Sequence, residues 1–560
     1  MIFKRKKKSS YIAPEETLLD ASNLPDFETD QFEGRIVRPL SKKNLLFLGG
    51  FFVLLALVFA GRAWFLQINN GQALAKRSAD NQLRQTYVFA QRGNIADRNG
   101  TLLAWNTPGA NQFDFSLRNY SNLPGLSDLL GFVKYPSKDK NGVFYTDSLS
   151  GKDGVEKYYD SELAGKNGMK MVEVNAENQI QSQGVVQPAE SGNTLKLSID
   201  SNVQSELYDQ IAQAATLSGF AGGAGVIMDV HTGQILALTT YPEYNSQVMT
   251  DGTDTVAISS YLTASSEPML DRAVSGLYAP GSIVKPFIAL GALNEGVITP
   301  DKQILSTGQI ELPNPYSPSN PSIFRDWQAN GWCDMDKALA MSSDVYFYEV
   351  GGGYQDQKGL GITNIDKYTS MFGFGQGIPG AFFDSTPGVV PSPAWKAENF
   401  TDGVWRVGDT YHSAIGQFGW QVTPLQAVRA VAAVANGGTL LEPTLINDGS
   451  VAASSTHIAG IPAEDYDVVR AGMREAVLSG TVQGLNIHQV DVASKTGTAE
   501  IGTKKAYINS LVTGFWPYEN PKYAFAIVME DGPAHYAEGA TTEMRNLLLW
   551  MSTTTPQYLQ

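Results

Sequence analysis

A run of apolar residues from Leu45 to Gly61 stands near the start of this 560-residue chain, and Ala63-Trp64-Phe65-Leu66 continue it beyond Arg62. A helix must place about 20 apolar residues in the hydrocarbon to cross a bilayer. The run reaches that length if Arg62 extends its charged end to the interface, where Trp64 and Phe65 are also suited to lie. The run therefore divides the chain into a tail (residues 1–43), an anchor (44–66) and a long remainder. Lys4 to Lys8 are all basic, and Arg35, Arg38, Lys42 and Lys43 follow before the run. That excess predicts a cytoplasmic N-terminus, with everything after about residue 68 outside the cell membrane. The competing reading is a cleaved signal peptide with Val58-Phe59-Ala60 as its processing site. The basic leader is too long for that, and the run exceeds the usual core of about 7–15 residues.

Composition excludes several classes. The formal net charge is −15, so nucleic acid is not the expected partner, because phosphate binding needs clustered Lys and Arg. Cys333 is the single cysteine, which excludes an intrachain disulfide and a thiolate cluster. His231, His412, His457, His488 and His535 show no metal-ligand spacing. Cys333 has Asp326, Asp334 and Asp336 nearby but no neighbouring histidine, and is expected to be a packed thiol. Neither a metal nor a cofactor is expected.

The tail is charged and proline-containing, and reads as disordered. Residues 67–195 alternate short apolar stretches with turn signals such as Asn99-Gly100 and Ser137-Lys-Asp-Lys-Asn-Gly142, as in a small elongated α+β module. From Thr194 the pattern tightens. Leu195 to Ile199 alternates as a strand, and Ser201 to Ala215 reads as a helix with Ser201 as N-cap. Residues 224–229 and 234–239 form a hairpin, and 511–515 and 523–529 two further strands. Helical patterns cover 286–295, 336–350 and 424–436. Strands at both ends with helices between predict one large α+β domain. The expected boundaries are 67–200, 201–550 and a short tail at 551–560. Gly375-Gln-Gly377-Ile-Pro-Gly380 fits a dinucleotide fingerprint, but follows no clear strand and reads as a loop.

Three motifs carry chemistry, in order: Ser282-Ile-Val-Lys285, Ser342-Ser343-Asp344 and Lys495-Thr496-Gly497-Thr498. One helical turn separates Ser282 from Lys285, so a neutral Lys285 amine can take the serine proton. The unpaired N–H groups of a helix start favour negative charge near the serine oxygen. Burial holds a lysine neutral, and so does a neighbouring cation. Lys495 is the candidate cation, and also a candidate holder of an anionic substrate end. Gly497 is expected to leave room for a ligand beside the strand. Thr496 and Thr498 offer hydroxyls to a carboxylate, and the Ser282 and Thr498 N–H groups form a natural oxyanion pair. Singly, each motif has an ordinary structural explanation, and Ser137-Lys-Asp-Lys140 repeats the first spacing in a polar loop.

The ordered set resembles the class B penicillin-binding proteins, over nearly everything after residue 44. The resemblance extends to Asn81-x-x-Arg84, to Arg92-Gly-x-Ile-x-Asp-Arg-Asn-Gly100, to Gly154-Val-Glu156-x-Tyr-Tyr-Asp160 and to Leu197-x-Ile199-Asp200-x-x-x-Gln204. Asp271 to Ser282, Asp344-Val-Tyr-Phe-Tyr348, Trp405-x-x-Gly408-Asp409-Thr410 and Thr423-Pro-Leu-Gln426 are similar to the elongation (penicillin-binding protein 2) branch. The fold implied is a pedestal, or dimerisation-like, domain followed by a transpeptidase domain. The latter is an antiparallel sheet sandwiched by helices, with a helical subdomain. The activity implied is D,D-transpeptidation of peptidoglycan stem peptides, with β-lactams acylating the same serine. By this resemblance Ser282 is the nucleophile, Lys285 its base and Ser342 the proton relay. Asp344, standing where most relatives have asparagine, contacts substrate, and Lys495, Thr496 and Thr498 hold the substrate carboxylate. A polytopic glycosyltransferase is the implied partner.

Three departures bear on the site. Phe418 in Ile415-Gly416-Gln417-Phe418-Gly419 stands where a second glycine is usual, and Ser494 stands where glycine is frequent. The charge of Asp344 would favour a protonated Lys285, opposing Lys495, so Asp344 is expected to turn away from Lys285. A membrane-anchored β-lactamase or β-lactam sensor shares the motifs. Neither needs a pedestal of about 130 residues, and the tail is too short for a signalling domain.

Overall fold

The computed structural model describes residues 41–80, 82–109, 114–138, 144, 146–174, 180–314, 317, 319–378, 385–447, 454–502, 506–534 and 539–560. Residues 1–40 of the tail, residues 139–142 of the polar loop and residues 379–380 of the glycine-rich segment thus lie outside the described residues. The chain divides into two units: Met1–Arg84 with Val172–Gln183, and Gln85–Met171 with Gly184–Gln560.

In the first unit the apolar run forms helix α1 (Lys42–Trp64), prolonged by one wider turn at Phe65–Asn69. Ser41 caps it by accepting from the Asn44 N–H at 3.3 Å. No residue of α1 is buried within the protein. Leucines and phenylalanines on every side, left uncovered, match a helix whose solvent is lipid.

The second unit begins with a pedestal region. A four-stranded sheet there orders Leu117–Tyr120, Leu102–Thr107, Ile95–Ala96 and Leu195–Lys196. The glutamate of the Gly154-Val-Glu156 motif is fully buried. Its carboxylate is held by two guanidiniums, Arg92 Nε on one oxygen and Arg118 Nε at 2.7 Å on the other. Arg92 also reaches Asp160 at 2.7 Å. The arginine of one pedestal motif and the acids of a later one therefore meet, with Glu156 buried and Asp160 at the edge.

The larger part centres on a five-stranded antiparallel sheet: β1 (Gly222–Asp229), β2 (Ile235–Tyr241), β3 (Ala493–Ile501), β4 (Tyr507–Trp516) and β5 (Tyr523–Pro533), in spatial order β2-β1-β5-β4-β3. Both faces are covered, so these strands read as near-continuous apolar runs rather than alternating ones. On one face Ile227, Val512, Phe525 and Ile527 pack against Val203, Leu207 and Ile211 of helix α2 (Ser201–Ser218). Asp200, not Ser201, caps α2, accepting from the N–H groups of Asn202 and Val203. On the other face Val226, Ala526 and Val528 join a core containing helix α3 (Lys285–Asn294), helix α4 (Asp344–Gly352) and helix α5 (Pro424–Ala435). All twelve residues of α5 are buried. Helix α6 (Ala540–Thr554) lies on the α2 side through Met544, Leu547 and Leu548.

The helical pattern over 336–350 is corrected: it is two helices, Met335–Ala340 and α4. Ser342 breaks it with a φ of +54°, a left-handed conformation that few non-glycine residues adopt. The expected strand at 195–199 also shortens to Leu195–Lys196, with Leu197 bridging to Ile446.

Candidate active site

Ser282 sits in a single tight turn, Gly281–Val284, that runs straight into α3. Lys285 to Leu293 are all buried, so the turn rests on an immobile base. Two backbones press against it. Gly281 N–H donates to Gly416 O at 3.0 Å. A Cβ at Gly281 would lie 3.1 Å from Thr498 N, and one at Gly416 would lie 2.0 Å from Gly281 O. Both glycines also have positive φ, so no larger side chain fits where the serine turn, the 415–419 loop and β3 converge.

Lys285 is fully buried. Its Nζ donates to Ser342 O at 2.7 Å, to Ser342 Oγ at 3.3 Å and to Asp344 Oδ1 at 2.6 Å. The left-handed backbone at Ser342 aims that carbonyl at the amine. The expectation that Asp344 turns away from Lys285 is therefore wrong: the two form an ion pair. The reason is local. Asp344 is the first residue of α4, where an anion is favoured by the unpaired N–H groups, and that helix start faces a buried ammonium that would otherwise lack a counter-charge.

Lys495 is also fully buried. Its Nζ donates to Thr496 O at 3.0 Å. Burial first, and then the charge of Lys285, push its pKa well below the ordinary lysine range, against the opposing pull of Asp344. In β3, Lys495 and Gly497 point inward, whereas Thr496 is half-buried and Thr498 and Glu500 are exposed to the cleft. The space expected beside Gly497 is taken: a Cβ there would lie 2.3 Å from Pro280 O. The glycine admits the serine turn, not a ligand. Thr496 Oγ1 lies 3.1 Å from Thr481 Oγ1. Ser494, the other departure in this strand, is buried and donates to Thr513 O at 2.8 Å.

Ser282, Ser342, Asp344, Thr496, Gly497 and Thr498 line one cleft of about 1170 Å³. Asp326, noticed in the sequence only as a neighbour of Cys333, has a larger role. Its Oδ2 accepts from Ser343 Oγ at 2.8 Å, Val345 N at 3.0 Å and Ser306 Oγ at 3.1 Å. It thereby anchors the turn that presents Ser342. No spacing rule signals such a residue, because its partners come from two segments, one on either side of it in the chain. Cys333 is buried with its thiol pKa raised by burial, and no metal-ligating cluster occurs among the described residues. Phe418 takes the glycine-like φ of +64°. Its ring stacks on Phe400 at 5.6 Å and meets Trp395 and Trp405 edge-on, contacts that hold a phenylalanine in a strained backbone.

Comparison with known proteins follows the same lines. Residues 223–548 match the penicillin-binding protein transpeptidase domain, and residues 107–197 match the penicillin-binding protein dimerisation domain. The chain belongs to the penicillin-binding protein transpeptidase family. Within it the relatives are of the class B, elongation type. Peptidoglycan D,D-transpeptidase MrdA of Acinetobacter baumannii is 27% identical over 90% of this chain and 86% of its own length. MrdA of Escherichia coli is 28% identical over 79% and 72%. Among solved structures, Pseudomonas aeruginosa PBP2 in complex with WCK 5153 superposes with a TM-score of 0.67, at 28% identity, over 84% of this chain and 96% of that one. Helicobacter pylori PBP2, solved in complex with MreC, gives 0.69 at 27% identity over 85% and 99%. With α1 long, apolar and uncovered, this is a membrane-anchored protein.

Proposed function

We propose that this protein is a peptidoglycan D,D-transpeptidase of cell elongation that cross-links stem peptides through an acyl-enzyme on Ser282. The observation that carries the reading is the buried Lys285 amine held 2.7 Å from Ser342 O and 3.3 Å from Ser342 Oγ, on the same turn-and-helix as Ser282. Lys285 in its neutral form takes the Ser282 proton as Oγ attacks the carbonyl of the D-Ala–D-Ala bond. The Ser282 and Thr498 N–H groups stabilise the resulting oxyanion. Ser342 passes the proton to the departing D-alanine nitrogen. The acyl group then moves to an amine of a second strand, which Lys285 deprotonates in turn. Thr496 and Thr498 hold the terminal carboxylate of the substrate, with Gly497 letting the strand lie close to the serine turn. Lys495, whose Nζ donates to Thr496 O at 3.0 Å, stands behind them. None of these steps calls on a metal or cofactor. β-Lactams acylate Ser282 by the same attack.

The basic residues before α1 support a cytoplasmic N-terminus with the catalytic region outside the membrane. Residues 67–200 as pedestal and 201–550 as catalytic domain remain our division. A polytopic glycosyltransferase is the partner this arrangement suits, the anchor lying in the membrane beside it. The test is fluorescent penicillin labelling of membranes carrying the wild type and Ser282→Ala. Labelling should vanish in the variant, and the wild-type adduct should be long-lived. Rapid turnover of the adduct would indicate a β-lactamase instead.

A further inference from the structure

One wall of the cleft has no part in the chemistry above. The strand Ser322–Arg325 pairs with Gln309–Leu312, placing Gln309 opposite Arg325 and Ile310 opposite Phe324. Alternation turns Phe324 inward, 9% exposed, with its ring edge-on to Tyr411 at 5.0 Å and near Tyr348 at 5.9 Å. Ile323 and Arg325 consequently face outward, and both line the cleft with Trp327. The backbone is pinned on both sides of Arg325. Tyr348 OH donates to Arg325 O at 3.1 Å, and the next residue is the Asp326 anchor. The wall is therefore preformed, although Ile323 and Trp327 are 41% and 57% exposed.

Basic side chains are scarce on the described lining of the cleft. Among the described residues lining it, Asp326, Asp344 and Glu500 are acidic, and Arg325 is the one lysine or arginine. Lys285 is committed to Asp344, and Lys495 is buried out of reach. The Arg325 guanidinium has no hydrogen bond or ion pair to another described residue. A stem peptide brings at least two carboxylates: the terminal one at the scissile end, and the α-carboxylate of its γ-linked glutamate. The threonines of β3 suit the first. The second would meet Arg325 on the wall just described. A guanidinium fork binds a carboxylate through two parallel hydrogen bonds, and the flanking apolar side chains lower the local dielectric and strengthen that pair.

We propose that Arg325, flanked by Ile323 and Trp327, is a specificity subsite that reads a free carboxylate on the body of the stem peptide, in the donor or the acceptor strand. The subsite rests on the transpeptidase reading and adds to it a preference between carboxylate and carboxamide stems. The test uses full-length protein in detergent with synthetic stems carrying either the free glutamate α-carboxylate or its amide. One arm measures D-alanine release from the donor with a simple amine as acceptor. The other measures transfer from a carboxylate-free thioester donor to each acceptor stem. Arg325→Gln should raise KM for the acid form about tenfold in one arm and leave the amide within about twofold. The affected arm identifies the strand. Arg325→Lys, which keeps the charge, should lie between the two and serves as the folding control. Penicillin acylation of Ser282 should be unchanged in both variants. Equal effects on acid and amide, or no effect in either arm, would overturn the subsite. A wild type that hydrolyses penicillin quickly and ignores both stems would instead overturn the transpeptidase reading.

Discussion

Replacing Asp344 by asparagine tests what its ion pair with Lys285 contributes. Asp344 Oδ1 lies 2.6 Å from Lys285 Nζ, and the pair joins the first residue of α4 to the first residue of α3. Removing one partner of a fully buried pair costs about 3–5 kcal/mol, because the other charge is left without a counter-charge. Not all of this is lost in the variant. The Asp344 side chain is 20% exposed and so partly screened, Ser342 O still accepts from the Lys285 amine at 2.7 Å, and the asparagine oxygen can accept from it as well. We therefore expect Asp344→Asn to lose about 1–2 kcal/mol, and Asp344→Ala, which leaves no acceptor, to lose more. The assay is thermal melting of the full-length protein in detergent for wild type and both variants, alongside the second-order rate of fluorescent penicillin acylation at one pH. A Tm unchanged in both variants would refute the view that this ion pair ties the two helix starts together.

Three further outcomes follow from the structure. Asp326→Ala removes the acceptor for Ser343 Oγ, Val345 N and Ser306 Oγ; it should slow acylation about ten- to a hundredfold through misplacement of Ser342, with Asp326→Asn partly restoring the rate, as read by stopped-flow acylation alongside thermal melts. Glu156→Gln leaves the buried Arg118 without a counter-charge and Arg92 with only the partly exposed Asp160; it should destabilise the fold by about 3 kcal/mol, seen as a lowered Tm with acylation intact at low temperature. Asp271 is half-buried with its Oδ2 shut off from solvent, and desolvation raises its pKa to about 6 from the usual 3.8. Between about pH 4 and pH 6 the folded chain thus keeps a proton that the unfolded chain releases, so this carboxyl makes stability fall with rising pH, by about 3 kcal/mol in all. Asp271→Asn can still accept from Thr240 Oγ1 and the Ala273 and Val274 N–H groups, and should flatten that slope in melts across the window; an unchanged slope would assign it to other groups.

The sequence was most legible where chemistry is written locally. The apolar run, the three motifs and the strands of the central sheet are short-range patterns, and each appears at its expected place along the chain. The misreadings share one cause. Ser342 interrupts a sound helical pattern because a positive φ at +54° is compensated by Lys285 and Asp326, residues 57 and 16 positions away. Gly497 looked like an opening for substrate, but the atom that fills it belongs to Pro280. Phe418 looked like a defect in a glycine loop until Phe400, Trp395 and Trp405 came to surround it.

What the sequence determined by itself was the inventory: an anchor, the strands of a buried sheet, and a serine, two lysines and a carboxylate in a fixed order. Periodicity and composition suffice for that, since burial and helix geometry act over a few residues. Only the tertiary structure decided the electrostatics. It set Asp344 on Lys285, left Lys495 buried behind the strand and placed Arg325 on the open wall. Charge interactions depend on distances and dielectric between segments far apart in the chain, and those are fixed only when the core closes.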